Sequence, residues 1–405
     1  MNKNIWVIQE VYYPDEVGGA YFITKLAEGL SGSYNVNVLC GYPVYTARGI
    51  MVPKHERLNG VDVRRCLATR FNKNKITLRL INLLTITISI FFHTFFRVRK
   101  HDIVLVVTTP PLLPFFISFA CYMRGAKCIL RIDDIYPDTL IATGHFSKEN
   151  IFMKIFSYMN KILYQSFEHI VVLGRDMEHL VKKKLGSARQ QITIIPNWAD
   201  IDLIKPVPKE ENILLNELGL NNKFIINLAG NMGLAQGIEN LLKAVEILKD
   251  EDAIHFLFIG SGAKKKWMEK EINAKGLKNI TLTDQLPRSE QQNFLNACDI
   301  GLITLLPGMT GAGVPSRLYN IMSAGKPIIA ITGHGSESEF VIREEGIGWF
   351  VEAGDPNKLV DAILEAQSNP KKLLYMGTLS RSVAVKKYSR GKVINEYCKL
   401  IDSML

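Results

Sequence analysis

Gly311-Ala312-Gly313-Val314-Pro315-Ser316-Arg317-Leu318-Tyr319-Asn320-Ile321-Met322-Ser323-Ala324-Gly325-Lys326-Pro327 is the stretch around which the chain is organised. A glycine-rich approach runs into Pro315-Ser316, and Ser316 is a good N-cap for a helix with Leu318, Ile321 and Met322 on one side. Gly325 closes that helix, and Ile328-Ile329-Ala330-Ile331 reads as a buried strand. Such a loop–helix–strand unit aims uncapped N–H groups and the positive helix end at whatever lies before Ser316. Arg317 adds a fixed charge at the same place, and the combination suits a diphosphate. On the residues alone, the stretch also fits an ordinary αβ crossover whose glycines only make a turn.

Working outward, 405 residues with 47% hydrophobic and 22% charged composition describe a globular chain long enough for two domains. The formal charge of +10 favours an anionic partner, a nucleotide or lipid headgroups. Nucleic acid is disfavoured, because the Lys and Arg residues are dispersed and no base-stacking aromatic motif accompanies them. Six cysteines lie scattered without C-x-x-C or a zinc spacing; they read as buried thiols of a reducing compartment. Met1 to Asn4 lead straight into a strand, so no signal peptide is expected and the cytoplasmic side is the default.

Downstream of residue 212, Phe224 to Ala229 is a strand, 230–237 a glycine loop and 238–248 an amphipathic helix. Further strands follow at 254–259, 280–282 and 300–305. Upstream, the same strand–glycine loop–helix order opens the chain, with Ile5 to Ile8, then Gly18-Gly19, then helical spacing from Tyr21. Strands at 36–40, 61–66, 103–107, 127–132, 170–173 and 192–195 alternate with helices, which predicts parallel sheets covered on both faces. Asp133-Asp134, at the carboxyl end of a strand, lie where open α/β sheets bind ligands; helix capping is the other use of such a pair. Residues 199–212 read as a linker, with Asp200-Ile201-Asp202 as a solvated turn rather than a metal site. The expected domains are 1–198, 213–385 and a closing helix 386–405 that can cross back to the first.

The most unusual composition lies at about 70–100. Arg70, Lys73, Lys75 and Arg79 lead into an apolar helix, 76–96, followed by Arg97, Arg99 and Lys100. Thr, Asn, Ser and His residues interrupt its apolar face, so it suits the interface of an anionic membrane better than a full span.

These pieces together resemble the GT-B glycosyltransferases, specifically the retaining family-4 type, over essentially the whole chain. The resemblance is carried by Gly18-Gly19, Asp134-Ile135-Tyr136-Pro137, Ile195-Pro196-Asn197-Trp198, Gly230-Asn231 with Gln236-Gly237-Ile238-Glu239-Asn240, and Pro315-Ser316-Arg317-Leu318 with Ala324-Gly325-Lys326-Pro327. Their order and spacing look most like bacterial enzymes of O-antigen, capsule and colanic-acid assembly, closest to N-acetyl-L-fucosamine transferases. Two Rossmann-like domains with a donor cleft between them are what this implies.

It further implies a hexosyltransferase that takes a deoxy-amino sugar from UDP, needs no metal or other cofactor, and acts on a polyprenyl-diphosphate-linked saccharide at the inner face of the cytoplasmic membrane. Arg317, Asp133 and Asp134 would be catalytic. Gly18, Gly19, Asn231, Gly233, Gln236, Leu286, Pro315, Ser316, Leu318 and Asn320 would bind the nucleotide sugar. Two departures stand out. The family's paired glutamates fall on Ala312 and Asn320, and its diphosphate-neutralising Arg and Lys on Asn231 and Gln236, which shifts that duty onto Arg317. A GDP-L-fucose-dependent enzyme and a UDP-sugar epimerase of the same fold are the alternatives.

Overall fold

Short runs of Val, Ile and Leu become the strands of two sheets in a computed structural model, which describes residues 4–72, 75–188 and 190–405, the side chain of Ile76 excepted. Lys73, counted above in the basic cluster, lies outside the described residues. The chain divides into two compact units. One takes Met1–Pro137, Lys148–Pro196 and Gly391–Leu405; the other takes Asp138–Ser147 and Asn197–Arg390.

The first unit holds β1 (Asn4–Ile8), β2 (Asn35–Cys40), β3 (His55–Leu58), β4 (Val61–Arg65), β5 (Ile103–Val107), β6 (Lys127–Arg131), β7 (His169–Val172) and β8 (Gln191–Ile194). Their order is β3-β4-β2-β1-β5-β6-β7-β8, and every pairing is parallel except β3 with β4. All five residues of β5 are buried, as a parallel strand covered on both faces requires. β4 is the strand expected at 61–66, but β3 and its antiparallel pairing with β4 are not among the expected elements. The turn between them, Asn59-Gly60, has positive φ at both residues (48° and 85°), the geometry of a two-residue hairpin loop.

The helices are α1 (Gly18–Leu30), α2 (Ile76–Arg97), α3 (Leu113–Arg124), α4 (Asp138–Ala142), α5 (Ile151–Gln165) and α6 (Arg175–Leu185). The crossover from β1 to β2 runs one way along the sheet, and those carrying α2, α3, α5 and α6 run the other way. Right-handed crossovers therefore place these four helices together on the face opposite α1. Contacts of α2 with α3, α3 with α5, and α5 with α6 agree with this. Helix α4 belongs to the second unit, where Ala142 packs beside Leu305, Met309 and Ala312.

The second unit holds β9 (Phe224–Asn231), β10 (Ile254–Ser261), β11 (Ile280–Thr283), β12 (Ile300–Thr304), β13 (Ile328–Thr332) and β14 (Gly348–Glu352), all parallel in the order β11-β10-β9-β12-β13-β14. Its helices are α7 (Ile213–Leu218), α8 (Ile238–Ile247), α9 (Lys265–Lys275), α10 (Gln291–Asn296), α11 (Arg317–Ser323), α12 (Glu337–Glu345), α13 (Pro356–Ser368) and α14 (Pro370–Lys387). Leu228, Phe256, Phe258, Leu302 and Ile329 form its core with α8 and α13. The helical tail after residue 358 is broken at Pro370 and Ser389, and α15 (Arg390–Met404) joins the first unit. There Ile394 fills the space where a side chain at Gly29 would stand.

The segment read as a linker is pinned to the second unit. Trp198 is fully buried and donates its indole N–H to Asp200 (3.0 Å), while Asp200 also pairs with Arg288 (2.7 Å). Arg381 reaches the carbonyls of Ile201, Ile204 and Ser323. Asp202 is exposed in the turn expected there, but Asp200 is not solvated. Asp200 is buried because a guanidinium and an indole satisfy its carboxylate. The six cysteines are free thiols, all buried except the half-buried Cys398, and burial pushes Cys40, Cys66 and Cys298 up to about 12.

Candidate active site

In the second unit, the carboxyl end of β9 and the start of α11 meet. Arg317 donates from Nη2 to Gln236 Oε1 (3.0 Å) and towards the carbonyl of Asn231 (3.4 Å), while its Nη1 is buried without a hydrogen-bond partner. Among the described residues no carboxylate pairs with it, and burial pulls the guanidinium down to about 10. A guanidinium stays protonated under any ordinary condition. Burial thus disfavours a cation that no carboxylate among the described residues compensates.

The backbone is shaped to this group. Gly230 has φ 134°, a conformation that side chains rarely adopt, and a Cβ there would stand 3.5 Å from the Arg317 Cζ. The Asn231 carboxamide is wedged between Gly233 and Gly262; a Cβ at either would come within 2.9 or 2.7 Å of it. Arg317, Gln236, Asn231 and Gly233 gather at one place, joined by Gly230, which the sequence reading quoted beside Asn231 but gave no binding role. Its place at the end of a strand beside an Asn was the available signal.

Other predicted residues are placed differently. Ser316 stands at the N-cap position of α11 as expected, but its backbone is already helical (φ −62°, ψ −21°) and its hydroxyl caps no N–H. The carbonyl of Pro315, whose φ is fixed by its ring, accepts from Leu318 N at 3.2 Å. The Leu318 side chain is fully buried in the core. Asn320 accepts from Asp200 N (3.2 Å), so its carboxamide is turned to the segment after Trp198 rather than to solvent. Leu286 packs at the rim of the small core around Leu257 and Ile259. Ala312 is core as well.

In the first unit a second cluster stands past the carboxyl ends of β1, β5 and β6. Arg131, fully buried, donates to Asp133 Oδ1 (2.8 Å) and to the Tyr397 hydroxyl of α15 (2.7 Å). Thr108 Oγ1 accepts from Asp133 N (3.2 Å). Asp134, beside it, is pushed up to about 6 by burial and then by the charge of Asp133. Neither carboxylate caps a helix. Gly18 and Gly19 lie in the first turn of α1 rather than in a loop, and neither has a positive φ. A Cβ on Gly19 would stand 3.7 Å from Gln9 Nε2 and 4.0 Å from Asp133 Oδ2, and Gln9 Oε1 is buried without a partner. Gln9, Thr108, Arg131 and Tyr397 have no local signal in the sequence. An open pocket of about 470 Å³, solvent included, lies in the same unit between Tyr42, Arg48, Arg70 and Asn82. Among the described residues no three His, Cys, Asp or Glu side chains gather to hold a metal ion.

Residues 211–383 match the family model described as glycosyl transferases group 1. The probable glycosyltransferase WbjE of Pseudomonas aeruginosa is 35% identical over 312 residues, 76% of each chain. The putative colanic acid biosynthesis glycosyl transferase WcaI of Escherichia coli K12 is 24% identical over 95% of this chain and 96% of its own. Among solved structures, HepE of Anabaena in complex with UDP and glucose superposes with a TM-score of 0.76 at 13% identity, covering 99% of this chain and 100% of HepE, which shows the shared GT-B fold. With two Rossmann-like units and a relative of this closeness, the chain belongs to the group 1 glycosyltransferases and is a glycosyltransferase.

Proposed function

We propose that the enzyme transfers a sugar from a UDP-linked donor, with retention of anomeric configuration, to a polyprenyl-diphosphate-linked saccharide of a bacterial surface polysaccharide. The observation that carries the donor side is Arg317, a buried guanidinium with an unpartnered Nη1 and, among the described residues, no carboxylate partner. Breaking the glycosidic bond builds charge on the leaving diphosphate, and a fixed donor is worth most where that charge develops. Arg317 offers Nη1 to it, with Ser316 adjacent, so neutralisation falls to the protein and not to a divalent cation. Asp134, protonated below about 6, is suited to orient or exchange a proton with a sugar hydroxyl.

The family resemblance supports N-acetyl-L-fucosamine as the sugar, and the UDP complex of HepE supports the base. The similarity to WcaI, a colanic acid protein, favours surface polysaccharide as the product and keeps GDP-L-fucose as the second reading. The apolar helix α2 with its basic flanks supports a place on the inner face of the cytoplasmic membrane, where a polyprenyl-linked acceptor is held.

The test is thermal unfolding with UDP, GDP or buffer, in EDTA and then in Mg²⁺. Ligand at 100 times its Kd adds about 2.7 kcal/mol. A UDP shift in EDTA that Arg317→Ala abolishes is the expected result, together with a loss of about 10²-fold or more in kcat. Full activity of Arg317→Lys contradicts a bidentate role. A shift with GDP alone moves the donor to GDP-fucose.

A further inference from the structure

Three helices of the first unit are apolar outward as well as inward. α2 buries Ile86, Thr87, Ile90 and Thr94, yet exposes Leu80, Leu84, Phe92 and Phe96 (73% exposed). α3 exposes Phe119, Met123 and Tyr122 (81%). α5 buries Met153, Leu163 and Tyr164 on one side and on the other exposes Ile151, Phe152 (70%), Ile155, Tyr158, Met159 and Ile162. Those last positions follow helical spacing, so they form one stripe. The Phe91 ring joins α2 to α3 through Phe116 (5.9 Å) and Phe119 (6.3 Å), and the crossovers put α5 on the same face of the sheet. A soluble surface rarely carries so wide an apolar patch without a partner.

Charge identifies the partner. None of the three helices contains an aspartate or glutamate. Arg97, Arg99, Lys100, Arg124 and Lys154 are exposed on or beside them, and α6, which packs on α5, ends in Lys182 and Lys183, both exposed. An apolar centre with a basic rim matches acyl chains beneath anionic headgroups. The same rim opposes pairing with a second copy, which would set like charges against one another. Because Ile90, Thr87 and Thr94 are fully buried, α2 is anchored to its own unit and is not free to cross a bilayer alone.

We infer that α2, α3 and α5, with the lysines of α6, form one docking plane that lies flat on an anionic lipid surface. This deepens the membrane reading given for α2 by itself: the contact is monotopic and shared, and α5 is a principal part of it. The function proposed above supplies its purpose, but the plane stands on its own geometry.

The experiment sediments the full chain with phosphatidylglycerol-rich or phosphatidylcholine vesicles, alongside the α5 variant F152S/I155S/Y158S and the rim variant Lys183→Glu. The parent is expected on the anionic vesicles, with binding that falls as salt shortens the Debye length to about 3 Å near 1 M. The α5 variant is expected to lower partitioning at least about tenfold and the rim variant several-fold, with the unfolding midpoint and the UDP-induced shift unchanged. Undiminished partitioning of the α5 variant overturns the proposal. So does a parent that ignores vesicles but forms a dimer that the α5 variant dissolves. UDP binding is read separately, so loss of the transferase reading and loss of the docking plane give different outcomes.

Discussion

Asp134 makes the stability of this protein fall as pH rises, and replacing it with Asn should remove that dependence. In the unfolded chain this carboxyl ionises near 3.8, as an ordinary aspartate does; in the folded protein burial and Asp133 hold it protonated up to about 6. Below about pH 4 the group is neutral in both states and costs nothing. Between about pH 4 and pH 6 the folded state keeps a proton that the unfolded state has released, so stability drops with rising pH. Above about pH 6 the full penalty stands. A shift of about two units at 1.36 kcal/mol each gives roughly 3 kcal/mol. Asp134→Asn should therefore stabilise the first unit by up to about 3 kcal/mol at pH 8 and by almost nothing at pH 4, read as urea midpoints across that range. The same variant should lose transferase activity, since a carboxyl kept at this cost is one the chemistry uses. A variant no more stable than the parent at high pH, or a difference that stays constant with pH, would refute the reasoning.

Gly230→Ala should destabilise the second unit by about 1–3 kcal/mol, because φ 134° is strained for any side chain. It should also shrink the UDP-induced thermal shift, since relief of that strain moves the backbone beside Arg317, whose Cζ would lie 3.5 Å from the new Cβ; an unchanged shift would separate Gly230 from the site. Tyr397→Phe deprives the buried Arg131 of one of its acceptors and should cost about 1.5–3 kcal/mol in urea denaturation. A neutral result there would mean that the tie from α15 to the carboxylate cluster contributes nothing.

Much of the scaffold is legible in the sequence because parallel strands are buried on both faces. Ile103 to Val107 and Ile328 to Ile331 must be continuous apolar runs, and they are. The β3–β4 hairpin escaped because His55 to Leu58 lies on a sheet edge and is polar; only its Asn-Gly turn marks it. Helix α5 was legible as apolar, but not as apolar on its outward side, since composition does not say which neighbours cover a face.

The sequence by itself determined the alternation of strands and helices, the Asn-Gly turn of the hairpin, and the cation at Arg317. These depend on residues near one another in the chain, where periodicity and turn chemistry act directly. Tertiary structure alone decided that Asn320 accepts from Asp200 N, that the Ser316 hydroxyl caps no N–H, and that Arg131 meets Tyr397 from 266 residues away. It also decided that, among the described residues, no carboxylate pairs with Arg317 and that its Nη1 is buried without a partner. Such outcomes rest on which side chains the sheet topology brings together and how far it strips them of water. Local sequence carries no record of either.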